Sequence, residues 1–92
     1  MARRNRDVAP GVFHVWAHSV RDEALFRDDL DRMAFLRELA RAGAKAGWRC
    51  IAYCLMDTHY HLILEVDAGV LPDGMHSLNF RYACWFNQRH GT

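Results

Sequence analysis

No stretch of this 92-residue chain approaches the roughly 20 consecutive apolar residues of a membrane-spanning helix. The basic start, Met1-Ala2-Arg3-Arg4-Asn5-Arg6-Asp7, has no apolar segment behind it, so it does not read as a secretory signal. Both absences predict a cytoplasmic protein with no membrane partner. Charge of one sign is also lacking. Twelve Lys and Arg stand against 11 Asp and Glu, a net of +1, so affinity for nucleic acid would have to come from local patches. There is no P-loop, no Gly-rich dinucleotide fingerprint and no Ser-His-Asp order, which leaves ATP and nicotinamide chemistry without support. Cysteine is sparse, and Cys50 and Cys54 sit four apart, outside the C-x-x-C spacing of zinc knuckles and redox loops. On one regular strand the two share a face at a separation too large for a disulfide. All three cysteines are therefore expected to be buried free thiols in a reducing compartment.

Apolar residues make up 51% of the chain, enough for a folded core. The length suits one small domain, with residues 1–10 as a flexible basic arm and 11–92 as the folded core. A first strand is expected over Val12–Val20, after a Pro10-Gly11 turn, with His14, Trp16 and His18 on one face. Arg21–Arg27 reads as a charged connection anchored by Leu25-Phe26. Asp28 or Asp29 caps a helix running to about Ala46, with Gly47 as its stop. Leu30, Met33, Leu36, Ala40 and Gly43 recur at helical spacing, as do Phe35 and Leu39; Asp31, Arg32, Arg37, Glu38, Arg41 and Lys45 read as the solvated face. Trp48–Leu55 and His59–Val66 read as strands joined by a hairpin at Met56-Asp57-Thr58. Asp67–Gly74 reads as a loop broken by Gly69, Pro72 and Gly74. A second helix is expected from about Met75 to Arg89, with Met75, Leu78, Tyr82, Trp85 and Phe86 as its apolar stripe. The order β-α-β-β-α predicts an α+β fold, a ferredoxin-like antiparallel sheet with helices on one face that lacks its last strand. The edge this leaves on the first strand predicts a homodimer.

His59 and His61 carry the chemistry. Side chains alternate along a strand, so these two imidazoles project from one face and can converge on one divalent cation, Mg²⁺ or Mn²⁺. Hard cations want an oxygen ligand, and Glu65 on the same face is the local candidate for a third. His14 or His18, on a neighbouring strand, could support that site or simply pack beside Trp16. Tyr82 is the best-placed tyrosine for attack on a phosphodiester, yet it falls in the apolar stripe of its helix, where aromatics are usually core. Arg3, Arg4 and Arg6 in the arm, with Arg81 and Arg89 on the second helix, are the candidate DNA-contacting cations.

The ordered set Phe13-His14-Val15, Leu25-Phe26-Arg27-Asp28-Asp29-Leu30-Asp31-Arg32, Phe35-Leu36, Gly47-Trp48-Arg49, Ala52-Tyr53-Cys54-Leu55-Met56 and His59-Tyr60-His61-Leu62 resembles the HUH single-tyrosine transposases. These include the small insertion-sequence transposases and the REP-associated tyrosine transposases. Leu78-Asn79, Arg81-Tyr82 and Trp85-Phe86-Asn87-Gln88-Arg89-His90-Gly91 are similar to the family's next helix and its exit turn. The resemblance implies DNA transposition: a tyrosine attacks single-stranded DNA near a hairpin, a 5′-phosphotyrosine forms, and the freed 3′-hydroxyl later reverses the step. It makes His59 and His61 metal ligands. Where the family has Pro-Asn before the first histidine, this chain has Asp57-Thr58. The family's nucleophile lies on a later helix, past the position of Thr92, so the expectation is a transposase core holding the metal half of the site. The alternatives are a truncated relic that binds hairpin DNA without cutting it, or a small metal-binding or assembly domain without DNA activity.

Overall fold

Along its whole length His59–Val66 alternates half-buried and buried side chains, and this alternation organises the molecule. The structure is a computed structural model that describes residues 11–66 and 71–92. The elements are β1 (Gly11–His18), α1 (Asp29–Ala46), β2 (Trp48–Leu55), β3 (His59–Val66) and α2 (Leu71–His90). β3 lies in the centre of a three-stranded sheet of order β1-β3-β2, antiparallel to both neighbours. β1 and β2 therefore run parallel to each other, with α1 as the crossover between them. The fold is α+β, as its sequence pattern predicts.

Tyr60, Leu62, Leu64 and Val66 of β3 enter one core with Phe26, Phe35 and Leu39 from the α1 side and Leu78 and Tyr82 from α2. Phe35 is its hub, with ring centroids 4.9 Å from Tyr60, 5.3 Å from Tyr82 and 5.4 Å from Phe26. Both helices feed this core, so they lie on one face of the sheet. The other face carries His14, Trp16 and His18 from β1 and His59, His61, Ile63 and Glu65 from β3.

α1 has the ends expected of it. The Asp28 side chain accepts from the Asp31 N–H at 3.1 Å, and Gly47 closes the helix in the left-handed region at φ 78°. Its buried stripe differs from expectation. Leu30 and Met33 are exposed, whereas Asp31 and Glu38, assigned to the solvated face, are buried with Phe35 and Leu39. The cause is α2, which covers that side and supplies the cations. Arg81 reaches Glu38 at 2.8 Å, and Arg89 and His90 reach Asp31 at 2.6 and 2.9 Å.

Other boundaries also shift. β1 ends at His18 rather than Val20, because the chain turns through Arg21 and Asp22, both at positive φ. α2 begins at Leu71, earlier than Met75; the remainder of the expected loop, residues 67–70, lies outside the described residues. Pro72 falls in the first turn, where its missing N–H has no helical partner to lose. Gly74 is a packing residue rather than a breaker, since a Cβ there would stand 2.4 Å from Cζ2 of the Trp48 indole.

β2 holds an irregularity that the sequence does not announce. Cys50 pairs with Leu64 but Ala52 with Ile63, so Ile51 is an extra residue, a bulge. Beyond it the faces exchange. Cys50 packs against the core, while Cys54 pairs with His61 on the other face. The two cysteines do not share a face, and only Cys50 is partly buried; Cys54 and Cys84 are exposed, contrary to the expectation of three buried thiols.

Candidate functional site

The turn that presents His59 is held from two sides. The Met56 N–H donates to the His59 carbonyl at 2.8 Å and closes the hairpin. The Asp57 carbonyl accepts from the Leu25 N–H at 2.7 Å, and the Thr58 carbonyl accepts from the Ser19 N–H at 2.8 Å. The Asp57 carboxylate takes the Arg32 guanidinium at 2.7 Å, and Arg32 Nε also donates to the Leu55 carbonyl at 3.2 Å. Asp57-Thr58 is thus a turn fastened to the segment before α1 and to α1 itself. Sequence reading passed over this clamp, because Arg32 looked like one more solvated cation.

β3 then sets the two imidazoles next to each other on the face away from the helices, ring centroids 5.4 Å apart and nearly perpendicular. β1 adds two more. His18 stacks on His59 at 5.5 Å, and His14 stacks on His61 at 5.1 Å. The second pair is also hydrogen-bonded, with His14 Nε2 and His61 Nδ1 2.9 Å apart. His18 turns its Nδ1–H to the Ser19 carbonyl at 2.8 Å and its Nε2 towards Asp22 at 3.5 Å. Trp16 lies beside His61, 6.5 Å between centroids, and is 61% exposed, so its ring is open to a ligand on this face.

Glu65 does not join the histidines. It stands four residues beyond His61, about 13 Å along the strand, and it is ion-paired with Arg49 of β2. Among the described residues no group of three or more His, Cys, Asp or Glu side chains is disposed to hold a metal ion. What the face does supply is two neighbouring imidazoles, His59 and His61. A borderline cation suits such nitrogen ligands better than Mg²⁺ does.

Nor does Tyr82 reach this face. It is buried among Phe26, Phe35 and Trp85, and its hydroxyl donates to the Leu25 carbonyl at 2.5 Å. Burial pushes that hydroxyl well above the usual tyrosine range, the opposite of activation. Tyr60 is buried with its hydroxyl on Asn79 at 2.9 Å, and Tyr53 pairs with Leu62 on the helix side of the sheet. These are all the tyrosines in the sequence. None shares a face with His59 and His61.

Two of the expected DNA-contacting cations are engaged elsewhere. Arg81 is ion-paired with Glu38, and Arg89 donates to Asp28 and Asp31, both on the helix side. They fasten the helices together. Arg3, Arg4 and Arg6 lie outside the described residues. No described helix is long and apolar enough to cross a membrane. Compared with protein-family models, curated proteins and solved structures, the chain matches none of them.

Proposed function

We propose that this chain carries the metal-binding half of a site for cleaving and joining single-stranded DNA, in a ferredoxin-like core of the HUH transposase kind. One observation carries the reading: His59 and His61 stand side by side on the helix-free face of the central strand, with an exposed Trp16 next to them. Two neutral imidazoles would hold a divalent cation there. When bound, that cation would polarise a phosphodiester and offset its developing charge. The chain's own residues would orient the strand. Trp16 offers a ring on which an unpaired base can stack, as aromatic side chains do in single-strand binders. The three tyrosines favour a limit on the activity, since each lies on the helix side. These 92 residues bind and position DNA, and a nucleophile has to come from another segment or another chain.

The test is a titration with Mn²⁺, then with a labelled DNA hairpin carrying a single-stranded flank, at low salt where phosphate contacts are strongest. Saturable Mn²⁺ binding that is lost in His59→Ala is expected, with Zn²⁺ binding more tightly than Mn²⁺ and Mg²⁺ more weakly. Hairpin affinity should fall on chelation in the native chain and be insensitive to chelation in His59→Ala. Absence of DNA binding at low salt would overturn the DNA part of the reading. No covalent protein–DNA adduct is expected on a denaturing gel. An adduct mapped by mass spectrometry to Tyr53, Tyr60 or Tyr82 would show that this tyrosine leaves the helix side.

A further inference from the structure

The His14–His61 hydrogen bond has a direction, and the direction matters for what His61 can do. A neutral imidazole carries one N–H and one bare nitrogen, and 2.9 Å between His14 Nε2 and His61 Nδ1 leaves room for one proton between them. If that proton sits on His14, a neutral His61 keeps its own proton on Nε2 and has no lone pair there. If it sits on His61 Nδ1, Nε2 is bare and can bind a cation. The companion pair lacks this link, because His18 spends its Nδ1–H on the Ser19 carbonyl and meets His59 only by stacking.

We infer that His14 is a positioning residue for His61: its Nε2 accepts the His61 Nδ1 proton, which leaves His61 Nε2 free and fixes the ring plane for a divalent cation. This rests on the metal reading above. It follows the general behaviour of imidazole ligands, whose second nitrogen donates to an acceptor that sets tautomer and orientation. The acceptor is usually a carboxylate or a carbonyl; here another imidazole fills the part. The cross-strand register places it there, with His14 opposite Ile63 and Trp16 opposite His61, so that the His14 ring reaches diagonally to His61.

Three variants test it with Mn²⁺ as the probe, free metal being read by electron paramagnetic resonance. His14→Phe keeps a ring for the stack and removes the acceptor. His14→Gln restores an acceptor oxygen. His18→Phe alters the other stack. Both sites are exposed, and a thermal melt checks that each variant folds. Expected is a loss of about 10- to 100-fold in Mn²⁺ affinity for His14→Phe, with His14→Gln and His18→Phe within a few-fold of the native chain. Nitrogen-15 spectra of the Zn²⁺-loaded native chain should show His61 protonated on Nδ1 and metal-bound through Nε2. Equal binding by the native chain and His14→Phe would overturn this inference and leave the metal reading standing. So would a loss in His14→Gln as large as in His14→Phe, or His61 bound through Nδ1. If the native chain binds no Mn²⁺, the metal reading falls and this inference with it.

Discussion

Asp31→Ala is expected to cost about 3 kcal/mol of stability, read as a lowered urea midpoint with an unchanged slope. Asp31 is 0% exposed, yet its carboxylate is well supplied. It accepts from the Arg27 N–H at 2.8 Å, from Arg89 at 2.6 Å and from His90 at 2.9 Å. Removing it takes the acceptor from all three donors in a site that water reaches poorly, and breaking a buried pair in this way typically costs about 3–5 kcal/mol. The lower end applies because Arg89 keeps 29% of its side-chain surface in solvent and retains Asp28. For a domain of ordinary stability, about 5–15 kcal/mol, that is a large share.

The same cluster sets an acid limit. Burial pushes the Asp31 carboxyl up, but the Arg27 N–H, His90 and Arg89 outweigh it and hold it below its ordinary value. The Arg89 guanidinium, followed by the Asp31 N–H, holds Asp28 lower still. A carboxyl whose folded pKa is depressed contributes stability that is complete above its unfolded value, near 4, and is lost as pH falls towards the folded value. Urea midpoints should therefore be flat in this respect above about pH 5 and fall below about pH 4. In Asp31→Asn the fall should be shallower. An equal slope in both chains would remove Asp31 from the account.

The second large effect has an inverted sign. In an exposed helix interior, Gly→Ala commonly stabilises by about 0.4–1 kcal/mol. Gly43→Ala is expected to destabilise by about 1–3 kcal/mol, the range for forcing an extra methyl into a packed site. A Cβ at residue 43 would lie 2.6 Å from the Trp48 carbonyl oxygen. That oxygen is backbone at the start of β2, held by the strand pairing Trp48–Val66, and cannot swing aside as a side-chain tip can. The last turn of α1 and the first residue of β2 would have to separate, and Trp48, buried in the core, would move with them. Chemical denaturation of the two chains side by side decides it; a more stable Gly43→Ala would mean that the helix end yields freely.

Much of this architecture could be read before the structure. The strand alternation that places His59 and His61 together is local, and so are the Asp28 and Gly47 ends of α1. What escaped depends on elements meeting across the chain. Two apolar stripes on α1 compete in the sequence, and only the position of α2 decides that the one through Phe35 and Leu39 is buried and takes Asp31 and Glu38 with it. Acidic residues on a helix resemble a solvated face until the arginines that meet them are known. The diagonal contact of His14 with His61 needs the β1–β3 register, and a slip of one residue would send His14 to the other face. Tyr82 as a core residue was legible from its stripe. The pairing of Glu65 with Arg49 was not, because Arg49 lies on another strand.

Ile51 acts on β2 as a single inserted letter acts on a reading frame. Before it, Arg49 faces Glu65 and Cys50 faces the core; after it, every assignment is offset by one. Run straight through without the insertion, the same strand would pair Ile51 with Ile63, Ala52 with Leu62 and Tyr53 with His61. A phenol would then stand on the histidine face where Cys54 stands now. The identity of the group beside His61, thiol or phenol, is thus decided by one unpaired residue three positions upstream of Cys54, without any change in the residues themselves.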